Sequence, residues 1–124
     1  MLIDTNIFVD FFRGKQKAKN FLQNSQNANV SILTWMELFV GFPSKNNQNK
    51  LSKLINSCNI SILQINELIS IKSQEIFTNY RHKTGIDIPD SFIAATALVY
   101  KQPIYTLNTK HFAKIKSIKV FKPY

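Results

Sequence analysis

The chain has 124 residues, which fits one domain and leaves little room for a second. Apolar residues make up 44%, enough for a packed core and against disorder, and no apolar run approaches the ~20 residues of a membrane span. Sixteen Lys and Arg against seven Asp and Glu give a net charge of +9, which points to a polyanionic partner such as RNA or DNA unless it reflects lysine-rich composition alone. Cys58 is the only cysteine, so no disulfide within the chain and no four-thiol zinc site is possible, and a reducing cytoplasm is the expected setting. The N-terminus has no basic segment leading into a long apolar one, so no signal peptide is expected.

In chain order, Met1 to Ile3 reads as a strand that runs into Asp4. Apolar residues at 7, 8, 11 and 12 predict a helix over 6–12, and 15–24 reads as a second helix. Val30 to Ile32 reads as a strand, Thr34 to Gly41 as a helix, and "SKNNQNK" at 44–50 as a loop entering a helix over 47–56. "ISIL" at 60–63 is the third strand. A long helix is predicted over 66–82, with Leu68, Ile69, Ile76 and Phe77 on one stripe and "KTG" as its end. An alanine-rich helix over 90–100 follows, then strands at 104–106 and 118–121. Alternation of strand and helix predicts one α/β domain over 1–124, in three α/β/α layers around a mainly parallel sheet of four to five strands. An α+β arrangement is the alternative.

In an open parallel sheet, ligands gather beyond the carboxyl ends of the strands. Asp4 stands there, just before a helix N-terminus. The acids also have capping explanations. Asp4 or Thr5 can cap the first helix, "TWME" makes Thr34 and Glu37 a capping box, and Asp87 or Asp90 can cap the helix containing Pro89. Capping suffices for Glu37 and Asp87 taken singly. Taken together, Asp4, Glu37 and Asp90 all fall where a helix begins at one edge of the predicted sheet. Three carboxylates around one crevice repel unless a cation sits among them, and oxygen-only ligands suit Mg²⁺ or Mn²⁺.

"MLIDTNIFVDFF", "ILTWMELFVGF", "DIPDSFIAATAL" and "IYTLNTKHF", in this order and spacing, resemble the PIN domain of VapC-type toxins. The resemblance implies a compact α/β/α fold, Mg²⁺-dependent endoribonuclease activity (Mn²⁺ able to substitute), a cognate antitoxin and a homodimer. Carried over residue by residue, it makes Asp4, Glu37 and Asp90 the catalytic and metal-holding acids. Asn6, Thr106 and Asn108 become supporting polar positions. The family often carries a further Asp where this sequence has His111, which puts a second metal in question, with Asp87 as a nearby spare acid. His111 keeps two readings: a group that touches a scissile phosphate or acts as an acid, and an exposed helix-start histidine. Lys110, Lys114 and Lys116, in a region with no acid after Asp90, are candidates for guiding the RNA backbone. Phe8, Phe11, Phe12, Trp35, Phe39 and Phe42 are expected to be mostly core, with some excess forming a groove for a partner helix or a dimer. Cys58 is expected to be a small buried apolar residue. The rival functions are a PIN-like module that binds RNA without turnover and a phosphoacceptor signalling domain. The second lacks the acceptor acid expected after the third strand, since "ISILQIN" has none.

Overall fold

A computed structural model describes residues 1–124. Five strands form one sheet: β1 (Leu2–Ile3), β2 (Asn29–Ser31), β3 (Ser61–Leu63), β4 (Ile104–Tyr105) and β5 (Val120–Phe121). Their order is β3-β2-β1-β4-β5, and every pairing is parallel. Between them lie α1 (Thr5–Phe12), α2 (Gln16–Asn24), α3 (Ile32–Gly41), α4 (Lys45–Ser57), α5 (Glu67–Thr84) and α6 (Ile88–Val99).

The two residues of β1 explain the layering. Successive strand side chains point to opposite faces. Leu2 enters one core with Ile69, Ile76, Ile93 and Ile104, contributed by α5, α6 and β4. Ile3 enters the other with Ile7, Phe8, Leu22, Leu38 and Leu54, contributed by α1 to α4. Both side chains are fully buried, so β1 is central and covered on each face. The crossovers from β1 to β2 and β2 to β3 keep their helices on one face. The return from β3 to β4 carries α5 and α6 over the other, as right-handed connections require. The chain therefore reverses direction across the sheet between β1 and β4, and the carboxyl ends of these neighbours open on one crevice.

Local chemistry sets the helix ends. Asn66 Oδ1 accepts from the Ile69 N–H at 2.9 Å to start α5, and Gly85, at φ +72°, ends it. Arg81, His82 and Lys83 lie in the last turn of α5, where cations complement the helix dipole. Asp87 Oδ1 accepts from the Asp90 N–H at 2.8 Å and starts α6, with Pro89 in its first turn.

Several expectations need correction. α3 begins at Ile32, capped by Ser31 Oγ on the Leu33 N–H at 3.2 Å. Thr34 is thus a fully buried helix-interior residue, and the Thr34–Glu37 capping box does not exist. Glu37 therefore does not fall where a helix begins. It stands in the middle of α3, which extends earlier because the serine at the strand end is the better-placed cap. Ser44 caps α4 through the Asn47 N–H at 3.1 Å, so most of "SKNNQNK" is helical. Leu68 is exposed, off the buried stripe of Ile69 and Ile76, and Cys58 is half-buried at the end of α4. Among the aromatic residues, Phe8 is fully buried, whereas Phe39 stays exposed beside Met36 and Val40 on α3. No helix is long and apolar enough to cross a membrane.

Candidate active site

Asp4 follows β1 and is nearly fully buried. Its Oδ1 accepts from the Thr5 N–H at 2.7 Å. Its Oδ2 accepts from the Thr106 hydroxyl at 2.6 Å and from Asn6 Nδ2 at 2.9 Å. Thr106, just past β4 and fully buried, also accepts from Asn6 Nδ2 and from the Asn108 N–H, each at 3.0 Å. Its single hydroxyl proton is therefore directed at Asp4. Asn6 completes the web by accepting from the Leu107 N–H at 3.2 Å. The parallel register, with Ile3 opposite Tyr105, is what sets Asp4 beside Thr106.

Burial, more than anything else, pushes the Asp4 carboxyl up to about 6. The Thr106 and Thr5 hydrogen bonds oppose the rise, and the negative charges of Asp90 and Asp87 add to it. Glu37 is also raised, first by burial and then by Asp4 and Asp87, with the Thr5 side chain partly offsetting the effect. Asp90 is raised by burial, lowered by His111, and raised again by Asp87 and Glu37. The three acids thus share one field, together with Asp87 at the start of α6.

No lysine or arginine relieves that field. The ion pairs of the chain are Lys15–Asp10 at 2.8 Å, Lys72–Glu75 at 3.0 Å and His111–Asp90 at 2.6 Å. A molecule carrying +9 leaves Asp4, Glu37 and Asp87 without a cationic side chain. No three His, Cys, Asp or Glu side chains converge tightly enough to form a ready cage. A hard cation of the Mg²⁺ type in this crevice would be held directly by one or two of these carboxylates and completed by water and substrate phosphate. The donor set, all carboxylate and unpaired apart from the Asp90–His111 contact, fits such an ion.

The remaining candidates fall on both sides of this boundary. Asn6 and Thr106 touch Asp4 directly, while His111 touches Asp90 and Asn108 touches His111. His111 is not simply an exposed helix-start residue: it is partly buried and its Nδ1 lies 2.6 Å from Asp90 Oδ2. Lys110, Lys114 and Lys116 are exposed, and the Lys116 backbone N–H bonds to the Tyr80 hydroxyl at 3.2 Å, on the α5 side. Two participants escaped sequence reasoning, Thr5 and Thr34, whose hydroxyls meet at 3.0 Å between α1 and α3. The signal for Thr5 was its place directly beyond the strand-end acid.

Residues 1–118 match the family described as PIN domain. The chain belongs to the PIN-domain family.

This PIN domain is 31% identical over 130 residues to Ribonuclease VapC1 of Rickettsia felis, covering 97% of the chain and 93% of that relative. It is 30% identical over 118 residues to Ribonuclease VapC1 of Methanocaldococcus jannaschii, covering 94% and 81%. Among solved structures it resembles a toxin–antitoxin complex from Klebsiella pneumoniae, with TM-score 0.79 and 31% identity over 99% of this chain and 97% of that one. It shares its fold with DNA-bound VapBC from Salmonella typhimurium, at TM-score 0.82 and 21% identity over 99% and 97%.

Proposed function

We propose that this PIN domain is an endoribonuclease that hydrolyses RNA phosphodiester bonds, and that it is the toxin of a toxin–antitoxin pair. The observation that carries the reading is the buried carboxylate crevice at the sheet's reversal point, unrelieved by any lysine or arginine in a strongly basic chain. The ribonuclease names of the relatives and the toxin–antitoxin neighbour support it.

Asp4 and Asp90 would hold Mg²⁺, or Mn²⁺ in its place, directly, and Glu37 would hold it directly or through a bound water. Such an ion, when bound, supplies Lewis acidity toward a phosphoryl oxygen and lowers the pKa of water. Thr106 and Asn6 favour the ionised form of Asp4 and fix its rotamer, because each donates to Oδ2. Oδ1, which accepts only the Thr5 N–H, is the oxygen with a lone pair to spare. Glu37, half-buried with a raised pKa, would hold an attacking water and take its proton. Asp87 adds negative charge and starts the helix that carries Asp90.

The exposed Lys110, Lys114 and Lys116 would draw the RNA backbone toward the crevice, an attraction that weakens with salt. The exposed Met36, Phe39 and Val40 of α3 support apolar burial by a partner, with a cognate antitoxin and a second copy of the chain as the proposed partners. RNA as substrate and a lone free cysteine suit a cytoplasmic setting.

The test is cleavage of single-stranded RNA by purified protein with Mg²⁺ and with EDTA. Asp4→Asn and Asp90→Asn should each abolish the Mg²⁺-dependent product. Unchanged cleavage in both rejects the role of the acids, and RNA binding without metal-dependent cleavage identifies a binding module instead.

A further inference from the structure

We propose that His111 is a positioning residue that holds Asp90 by one carboxylate oxygen and leaves no imidazole lone pair for a cation, so that the crevice takes a single divalent ion. The inference rests on the reading above and deepens it.

His111 Nδ1 lies 2.6 Å from Asp90 Oδ2, a separation typical of a charge-assisted hydrogen bond. Both side chains are mostly shielded, so water competes weakly for the contact. The imidazole is also held from its other side. Asn108 Nδ2 stands 3.0 Å from Nδ1 and 3.2 Å from Nε2, and with Nδ1–H turned to Asp90 the amide can donate only to Nε2. The backbone is fixed as well, since the next residue, Phe112, is fully buried.

The contacts continue. The Asn108 N–H donates to the Thr106 hydroxyl, which donates to Asp4. A chain of polar contacts therefore runs from Asp90 through His111, Asn108 and Thr106 to Asp4, from α6 to the end of β1. It sets the two carboxylates relative to each other through residues that are not themselves acids.

This arrangement has a stoichiometric consequence. With Nδ1–H turned to Asp90 and Nε2 facing the Asn108 amide, His111 has no lone pair free for a cation. Asp90 Oδ2 and Asp87 Oδ1 each already accept one hydrogen bond, and Asp87 lies exposed at the start of α6. Two divalent ions side by side need enough carboxylate oxygen to offset their mutual repulsion. Asp4, Glu37 and Asp90 bring three negative charges against the four positive charges of such a pair.

The experiment titrates metal-stripped protein with Mn²⁺, reading free Mn²⁺ by electron paramagnetic resonance, with circular dichroism to confirm folding. The wild type should bind one ion at saturation. His111→Ala should weaken it about tenfold, as loss of a residue that orients a ligand commonly does. His111→Asn, whose amide can donate near the Nδ1 position, should recover most of the affinity, which a general loss of packing would not allow. Asn108→Ala, which leaves the Asp90 contact in place, should weaken binding less than His111→Ala. Two ions on the wild type, or His111→Ala binding as tightly as the wild type, overturns the proposal while leaving the nuclease reading intact. No Mn²⁺ uptake by the wild type removes the cation itself and both proposals with it.

Discussion

Replacing Asp4 by asparagine should make the metal-free protein more stable at neutral pH. Burial raises the Asp4 pKa from 3.8 to about 6. An acid raised in this direction binds its proton more tightly when folded, so its contribution favours the fold below pH 3.8 and is lost as pH rises through about 6. The shift of roughly two units corresponds to about 3 kcal/mol of destabilisation at about pH 7.5. The substituted amide carries no charge, but it must set an NH₂ against the Thr5 N–H that Oδ1 now accepts, a lost cap of about 1 kcal/mol. Its oxygen can still accept from Thr106 and Asn6. The net gain is about 2 kcal/mol at about pH 7.5. At about pH 4.5 the folded carboxyl is largely protonated, its remaining cost of about 1 kcal/mol matches the lost cap, and the gain vanishes. Urea unfolding in EDTA at the two pH values reads this directly, with the midpoint of Asp4→Asn about 1 M above wild type at the higher pH and level with it at the lower. A variant equally displaced at both pH values, or less stable than wild type at the higher one, refutes the claim that Asp4 is held as a costly buried charge.

Thr106→Val should cost about 2 kcal/mol in urea unfolding, because Asn6 Nδ2 and the Asn108 N–H both lose their acceptor, and RNA cleavage should fall with it. Glu37→Gln should leave the fold intact by circular dichroism and be no less stable at neutral pH, since burial and its acidic neighbours already raise the Glu37 pKa, while Mg²⁺-dependent cleavage is lost. Gly85→Ala has open space for its methyl but must adopt φ +72°, so it should lower stability by about 1 kcal/mol, visible as a lower melting temperature, without altering cleavage per folded molecule.

Asp4 and the α6 motif were readable because their signals are local. A strand that ends in an acid before a helix, and an Asp two residues ahead of a Pro, fix position within a few residues. The parallel sheet followed from the alternation of elements, and its strand order then put the Asp4 and Thr106 ends together. Glu37 was misplaced within its helix because two hydroxyl residues, Ser31 and Thr34, compete as caps, and only the tertiary fold shows that Thr34 is needed inside against Thr5. The buried Asp10 was equally opaque. Its partners are Lys15 nearby and the Tyr124 hydroxyl, 3.2 Å away but at the far end of the chain. Burial and Asp10 raise that tyrosine's pKa to about 12. The His111–Asp90 contact joins the first turn of α6 to a short turn beyond β4, and no periodicity encodes that approach.

The sheet order has a consequence for synthesis. β1 precedes the other four strands in the sequence, yet it sits in the middle, and one of its two neighbours is β4. Asp4 meets the hydroxyl of Thr106, 102 residues downstream, only after β4 has been made. On a ribosome that has not yet made β4, the acid has its near neighbours Thr5 and Asn6 but neither the Thr106 hydroxyl nor the second neighbouring strand that encloses it.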